Sequence, residues 1–348
     1  MVFKMNDKKL PTTRYTGSKQ KIVTWIWDNI KDLNFNSFLD AFSGTSVVGY
    51  YAKKKGKQIT SNDILKSNHI IAKAVIENNS VKLTENDLKF ILTKQSERKY
   101  PTFIQDTFQN IYFTDEENEW LDIVITNIKN LKDSIKQALA YYCLFQSCII
   151  KRPYNLFHRK NLYMRTSDVK RGFGNKTTWD KSFEEHFRNF AKEVNFLIYD
   201  NKKQNASTNL DVFDLKGKFD LVYIDTPYFS SHSMIGIDYR DFYHFLEGIL
   251  MYDEWIMEID DKSKHKRLTR IPSVWTDKTK IHDAFERLFE KFKDSIIVVS
   301  YRSGGLPTEE EFTKMLKKHK RNVKVIKKSY KYALSNENGN KELLFIAT

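Results

Sequence analysis

Phe38-Leu39-Asp40-Ala41-Phe42-Ser43-Gly44-Thr45-Ser46-Val47-Val48-Gly49 runs from an apolar segment through an acid and a glycine into a second apolar pattern. A buried strand over residues 36–42, a turn at Gly44 and a helix carrying Val47, Val48, Tyr50 and Tyr51 account for that order. Gly56 is placed to end the helix as a C-cap. Gln58-Ile59-Thr60-Ser61 follows as a second strand that closes at Asn62-Asp63, and a further helix is expected from Ile64 to Asn78. Strand, helix, strand, helix is the opening of a parallel α/β sheet. Such sheets place their ligands at the carboxyl ends of the strands.

The Gly44 turn is suited to a ligand. Glycine lets backbone approach closely, and the first N–H groups of the following helix are unpaired. Asp40, Phe42, Ser43, Gly44 and Thr45 are therefore candidate binding residues, and Asp63, closing the next strand, is placed to accept ribose hydroxyls. An ordinary α/β turn with a cap would leave the same trace. The spacing does not fit Gly-x-Gly-x-x-Gly, and no Gly-Lys-Ser/Thr phosphate loop is present, which argues against a nicotinamide dinucleotide.

Downstream, Phe219-Asp220-Leu221-Val222-Tyr223-Ile224 reads as another buried strand, and it runs directly into Asp225-Thr226-Pro227-Tyr228. An acid, a carbonyl, a rigid proline and a ring at a strand end can grip a planar amine. The Asp225 carboxylate and the Thr226 carbonyl accept its hydrogens, Pro227 stiffens the turn, and Tyr228 stacks. Ser230 to Gly236, with His232, is a candidate lid. Strands are also expected over Ser295 to Tyr301 and in a terminal hairpin, Val323 to Ser329 with Glu342 to Ala347, joined through Asn336-Glu337-Asn338-Gly339. Upstream, Arg14-Tyr15-Thr16-Gly17-Ser18-Lys19 joins a ring, a glycine and a Ser-capped helix start. Tyr15, Gly17, Ser18 and Lys19 could hold the carboxylate of an amino-acid-like ligand.

Residues 85–205 differ in character. They are rich in charge and aromatics, with helices expected over Asp115 to Asn127 and Ser134 to Ile150. Lys151, Arg152, His158, Arg159, Lys160, Arg165, Lys170 and Arg171 interleave with Tyr154 and Phe157, a mixture that suits phosphate and base contacts. Lys278 and Lys280, with Arg267 and Arg270, form a second basic edge. A solvated charged face is the plainer account of both.

Charge supports a polyanionic partner. The 348 residues carry a net +14, with a pI near 9.4, and a surplus of that size speeds encounter with nucleic acid. Hydrophobic residues make up 41% and charged residues 29%, which excludes a disordered chain. Cys143 and Cys148 lack zinc spacing and make no disulfide framework, so two buried thiols in a reducing cytoplasm, and no metal, are expected. No signal peptide or apolar span of about 20 residues is seen, so a soluble protein is expected, without membrane association.

Taken together, these motifs suggest methylation of a base amine, and in order and content the chain resembles the Dam-like DNA adenine (N6) methyltransferases of alpha-type motif order. The resemblance rests on Arg14 to Lys19, Asp40 to Gly44, the 85–205 segment, Asp211-Val212-Phe213 and Asp225 to Tyr228. Asp238 to Phe245 and Ser300 to Ser303 look similar to later motifs of one branch. It implies a Rossmann-like methyltransferase fold, mostly parallel and seven-stranded, with a mainly helical target-recognition insertion at 85–205 between core parts 1–84 and 206–348. It implies S-adenosylmethionine as cofactor, held by Tyr15 to Lys19, the Asp40–Thr45 turn, Asp63 and Asp211-Val212-Phe213. It further implies double-stranded DNA as substrate, base flipping, a catalytic Asp225 to Tyr228, a cognate restriction endonuclease as partner, and a sufficient monomer. One departure stands out: the family's first motif proline is Thr226 here. A cytosine or RNA-adenine acceptor and a non-catalytic DNA-binding regulator are the alternatives.

Overall fold

The computed structural model describes residue 10 and residues 13–168, 176–229, 238–330 and 340–348. Seven strands form one sheet: β1 (Ser37–Asp40), β2 (Gln58–Asn62), β3 (Ala206–Thr208), β4 (Leu221–Ile224), β5 (Ile296–Arg302), β6 (Val323–Ser329) and β7 (Lys341–Ala347). Their order is β3-β2-β1-β4-β5-β7-β6. The strands from β3 to β5 pair in parallel, and β7 runs antiparallel to both β5 and β6. The expected α/β sheet with one reversed strand is therefore present.

Burial explains the strands. Leu221 to Ile224 and Phe38 to Asp40 are buried on both faces, as suits central parallel strands covered by helices. The edge strand β6 instead carries Lys324, Lys327 and Lys328, charges that blunt further pairing. β3 was not anticipated. It has three residues and no apolar alternation, and side chains secure it: Thr208 Oγ1 donates to Asn62 at 2.8 Å and Ser207 Oγ to Glu77 at 2.7 Å.

The chain leaves β1 toward β2 on one side, and β4 lies on the other, so the strand order reverses at β1 and β4. A crevice opens at such a reversal. Parallel register sets Asp40 opposite Tyr223, which brings the ends of β1 and β4 to one level.

The 85–205 segment is mainly helical, but it does not stand apart. Its helix Ser134–Ile150 is capped by Asp133 and buried almost all round from Ala138 to Ile149. It packs against the helices Lys66–Ala72 and Phe183–Leu197. One apolar cluster joins Phe38, Ile59 and Leu221 of the sheet to Leu121, Phe145 and Val194 of this segment. Much of the segment thus packs on the helices that cover the sheet, a placement that apolar content alone cannot reveal. Cys143 and Cys148 lie inside this helical packing, where burial pushes both thiols up and leaves them unreactive. Among the described residues, no helix is long and apolar enough to cross a membrane.

Candidate active site

A cavity of about 780 Å³ opens at the carboxyl ends of β1 and β4. The turn after β1, the turn after β4 and the segment Tyr15 to Lys19 all line it, together with Asp63 and Asp211 to Phe213. Every sequence-selected binding or catalytic residue outside the basic set borders this one space.

The turn after β1 is built by its neighbours. Gly44 has φ +51° and donates its N–H to Asp63 Oδ2 at 2.8 Å. The other Asp63 oxygen takes the Leu65 N–H at 2.9 Å. The helix Val47–Lys54 begins at a left-handed Ser46 without a side-chain cap. Asp40 reaches up from β1 and accepts the Gly49 N–H at 3.0 Å instead. Burial raises the Asp40 carboxyl to about 7 and the Asp63 carboxyl to about 6, and the hydrogen bonds each accepts only partly offset this. A second wall is aromatic. Phe213 stacks on Trp275 with centroids 5.9 Å apart, Phe42 meets Trp275 edge-on at 5.1 Å, and the Arg287 guanidinium lies 4.1 Å from the Phe213 centroid. Asp211 is exposed at the rim and accepts the Phe213 N–H at 3.0 Å.

The segment Tyr15 to Lys19 closes the third side. Tyr15 stacks on Tyr243 with centroids 4.1 Å apart, and its hydroxyl donates to Asn68 at 3.2 Å. Ser18 caps the short turn that follows. Gly17 sits at φ +82°, and a Cβ there would lie 2.2 Å from the Tyr239 hydroxyl. Gly17→Ala is therefore expected to lower unfolding free energy by about 1–2 kcal/mol from the left-handed backbone alone, and more if Tyr239 cannot move, as read by urea denaturation.

The charged centre lies between the two turns. Lys19 Nζ is 2.7 Å from each oxygen of Asp225 and 3.7 Å from Glu342 Oε1. Burial pulls the lysine down, but Asp225 and Glu342 outweigh it and its pKa is raised. Burial pushes Asp225 up and Lys19 holds it back, so the carboxyl settles near 6. Lys19 Nζ also lies 4.8 Å from the Tyr228 ring centroid, and the Tyr228 hydroxyl donates to Glu342 at 2.8 Å. Thr226 is buried, and its hydroxyl has no hydrogen-bond partner among the described residues.

Several of these residues were missed from the sequence. Trp275 sits in a three-residue 3₁₀ helix, Val274–Thr276, too short to show a period. Glu247 accepts the Lys66 and Ser67 N–H groups at 3.0 and 2.8 Å and so starts the helix beside Asp63. Glu342 could have been found, since it is a lone acid opening the apolar run Leu343 to Ala347.

Three members of the basic set, Lys151, Arg152 and Arg165, turn away from solvent. Lys151 and Arg152 are buried, with 2% and 1% of their surface exposed. Lys151 donates to the Trp179 and Lys181 carbonyls and pairs with Glu117 at 2.8 Å. Arg165 spends its charge on the same Glu117 at 2.6 Å. His158 is half-buried, and burial with the neighbouring arginines lowers its pKa to about 4, so it is neutral near pH 7. A run of basic letters marks charge but not direction, and here three of its members point inward. Arg159 and Lys160 are exposed. In the second basic edge, Arg267 pairs with Asp260 and Arg270 with Asp241. Lys170, Arg171, the Ser230–Gly236 stretch and the loop at Asn336 to Gly339 lie outside the described residues.

A strand order that reverses at β1 and β4, with an acid-proline-aromatic turn beside a glycine turn on one cavity, is the layout of a ligand site in an open α/β enzyme fold. Residues 15–315 match the D12 class N6 adenine-specific DNA methyltransferases, and the chain belongs to that family. It is 31% identical to the type II methyltransferase M2.HphI of Haemophilus parahaemolyticus over 353 aligned positions, covering 98% of this chain and 99% of that protein. It is 29% identical to the type II methyltransferase M.FokI of Planomicrobium okeanokoites and to the modification methylase StsI of Streptococcus sanguinis. Of those two it spans 47% and 50% of the length. The chain is an adenine-specific DNA methyltransferase.

Proposed function

We propose that the protein uses S-adenosylmethionine to methylate the N6 amine of an adenine turned out of double-stranded DNA. The single observation that supports this most is the convergence of Asp225, Lys19 and the Gly44 turn on one cavity. The lining suits the cofactor. Stacked Phe213 and Trp275 offer a wall for a purine, Asp211 an acceptor at its edge, and Asp63 a carboxylate for ribose hydroxyls. Ser43 and Thr226 add buried hydroxyls that lack partners among the described residues. The bound cofactor supplies an electrophilic methyl group.

The protein's own part is orientation. An aromatic amine is a weak nucleophile because its lone pair is conjugated with the ring. The Asp225 carboxylate and the Thr226 carbonyl accept its two hydrogens and turn the lone pair toward the methyl carbon. Positioning of this kind supplies several kcal/mol of a barrier. Pro227 holds the turn, and Tyr228 stacks on the extruded base. Lys19 yields one Asp225 oxygen when the amine arrives. The carbonyl at position 226 serves equally from threonine or proline, so the departure from the family motif leaves the acceptor in place. Exposed Arg159 and Lys160 contact phosphates, and residues beyond them in the 85–205 segment read the target site. A cognate endonuclease and a monomeric enzyme complete this reading.

The test is incubation with unmethylated DNA and methyl-labelled cofactor, followed by nucleoside digestion and mass spectrometry. Labelled N6-methyldeoxyadenosine is expected; label in cytosine, or none, overturns the reading. The rate should also depend on pH. Ionised Asp225 is a strong acceptor at both oxygens, whereas protonation makes one oxygen a donor and weakens the other as an acceptor, and its raised carboxyl titrates at about 6. Single-turnover kcat/KM should thus be flat above about pH 7 and fall roughly tenfold per unit well below 6. A profile flat down to pH 5 would remove Asp225 from the role.

A further inference from the structure

Glu342 belongs to no motif of the active site, yet it lies at the centre of its charged cluster. It is the second residue of β7, has 0% of its surface exposed, and so sits on the antiparallel strand inserted between β5 and β6. Its Oε1 accepts the Tyr228 hydroxyl at 2.8 Å and the Ser300 hydroxyl at 2.5 Å, and stands 3.7 Å from Lys19 Nζ. A fully buried carboxylate is costly to desolvate and is kept only where donors surround it. These donors are not incidental. Two of them, Tyr228 and Lys19, are the ring and the cation that border Asp225. Ser300 comes from the neighbouring strand β5, where it pairs in register with Leu344, so the sheet itself fixes the carboxylate.

We propose that Glu342 is a positioning residue for methyl transfer, fixing the Tyr228 ring and giving Lys19 a second carboxylate to turn to when the target amine engages Asp225. This deepens the reading above and rests on it. Without Glu342 the Tyr228 hydroxyl loses its 2.8 Å acceptor, and the ring is held less firmly. Lys19 then has a stronger hold on Asp225, because the competing carboxylate is gone. Both effects weaken the reacting arrangement and leave the cofactor walls and the exposed basic residues untouched.

The experiment is a double-mutant cycle on the full-length enzyme, using Glu342→Gln, Tyr228→Phe and the pair, with single-turnover methylation of duplex DNA as readout. Glutamine keeps the shape and can still accept one hydrogen bond. E342Q is expected to lower kcat about 10- to 100-fold, as small misplacements near a reacting group do, with DNA KM and cofactor Kd changed less than about threefold. The double variant is expected to be less impaired than the product of the two single losses, because both weaken the same contact. Strict additivity, an unimpaired E342Q, or a loss carried mainly by KM overturns the inference. If E342Q does not fold, Ser300→Ala loosens the same carboxylate without stranding a charge. It should lower kcat several-fold at unchanged KM, and an unchanged kcat overturns the inference. A wild-type enzyme that leaves adenine unmethylated overturns the underlying reading and this inference with it. Wild-type activity with an unaffected E342Q overturns the inference alone.

Discussion

Asp225→Ala protein is expected to bind DNA and cofactor nearly as the wild type does and to methylate adenine on the order of 10²–10³-fold more slowly. The carboxylate is one of two acceptors that aim the amine, and the alanine leaves only the Thr226 carbonyl. Binding should survive because the cofactor walls, Phe213 with Trp275 and the Gly44 turn, lie elsewhere in the cavity. Stability should also survive in large part. Lys19 would lose its 2.7 Å partner, but Glu342 stands 3.7 Å away and can take the charge. Asp225→Asn offers a finer comparison. It keeps one acceptor and should lie between wild type and alanine. Single-turnover rates with saturating DNA and cofactor measure both variants. An alanine variant that runs at the wild-type rate would sink the catalytic assignment.

The second large effect falls on stability. Arg152→Ala is expected to cost about 3–5 kcal/mol of folding free energy, because it removes a buried ion and strands the groups that satisfied it. Arg152 donates to the carbonyls of Tyr112 at 3.1 Å, Leu156 at 3.2 Å and Arg159 at 3.0 Å, and to the Asn161 side chain. Its guanidinium lies 4.4 Å from the Tyr112 ring centroid. It therefore shapes residues 156–161 from within, and a loss of this size should lower Tm by on the order of 10 °C. Arg159→Ala and Lys160→Ala should do the reverse. Both side chains are exposed, so Tm should hardly move, while DNA affinity weakens and each lost phosphate contact reduces the salt slope by about one. Calorimetry and salt-dependent binding separate the two patterns. An Arg152→Ala protein of normal Tm with weakened DNA binding would restore the sequence-based assignment of that residue.

The same contrast runs through the molecule. Motifs that sit at strand ends were legible, because a strand end in a parallel sheet has one physical use. Asp40 to Thr45, Asp63 and Asp225 to Tyr228 each combine an apolar run with a break in it, and the apolar run fixes where the break must fall. β3 was not legible, because its three residues are held by Asn62 and Glu77 rather than by their own burial. The helix Ser134–Ile150 was read as a helix in the right place, but its packing on the helices that cover the sheet was hidden. Period and apolarity state that a helix is buried, not against what.

By itself, then, the sequence determined the α/β class, the reversed strand, and the three motif segments that meet at one cavity. These depend on local pattern and on chain order, both written along one dimension. Only the tertiary structure decided which charges face water. Lys151, Arg152 and Arg165 turn inward to carbonyls and Glu117, while Arg159 and Lys160 turn outward. Only the tertiary structure brought Glu342, more than a hundred residues downstream, beneath Tyr228 and beside Lys19. Side-chain direction and long-range pairing depend on register and packing, and no local pattern encodes either.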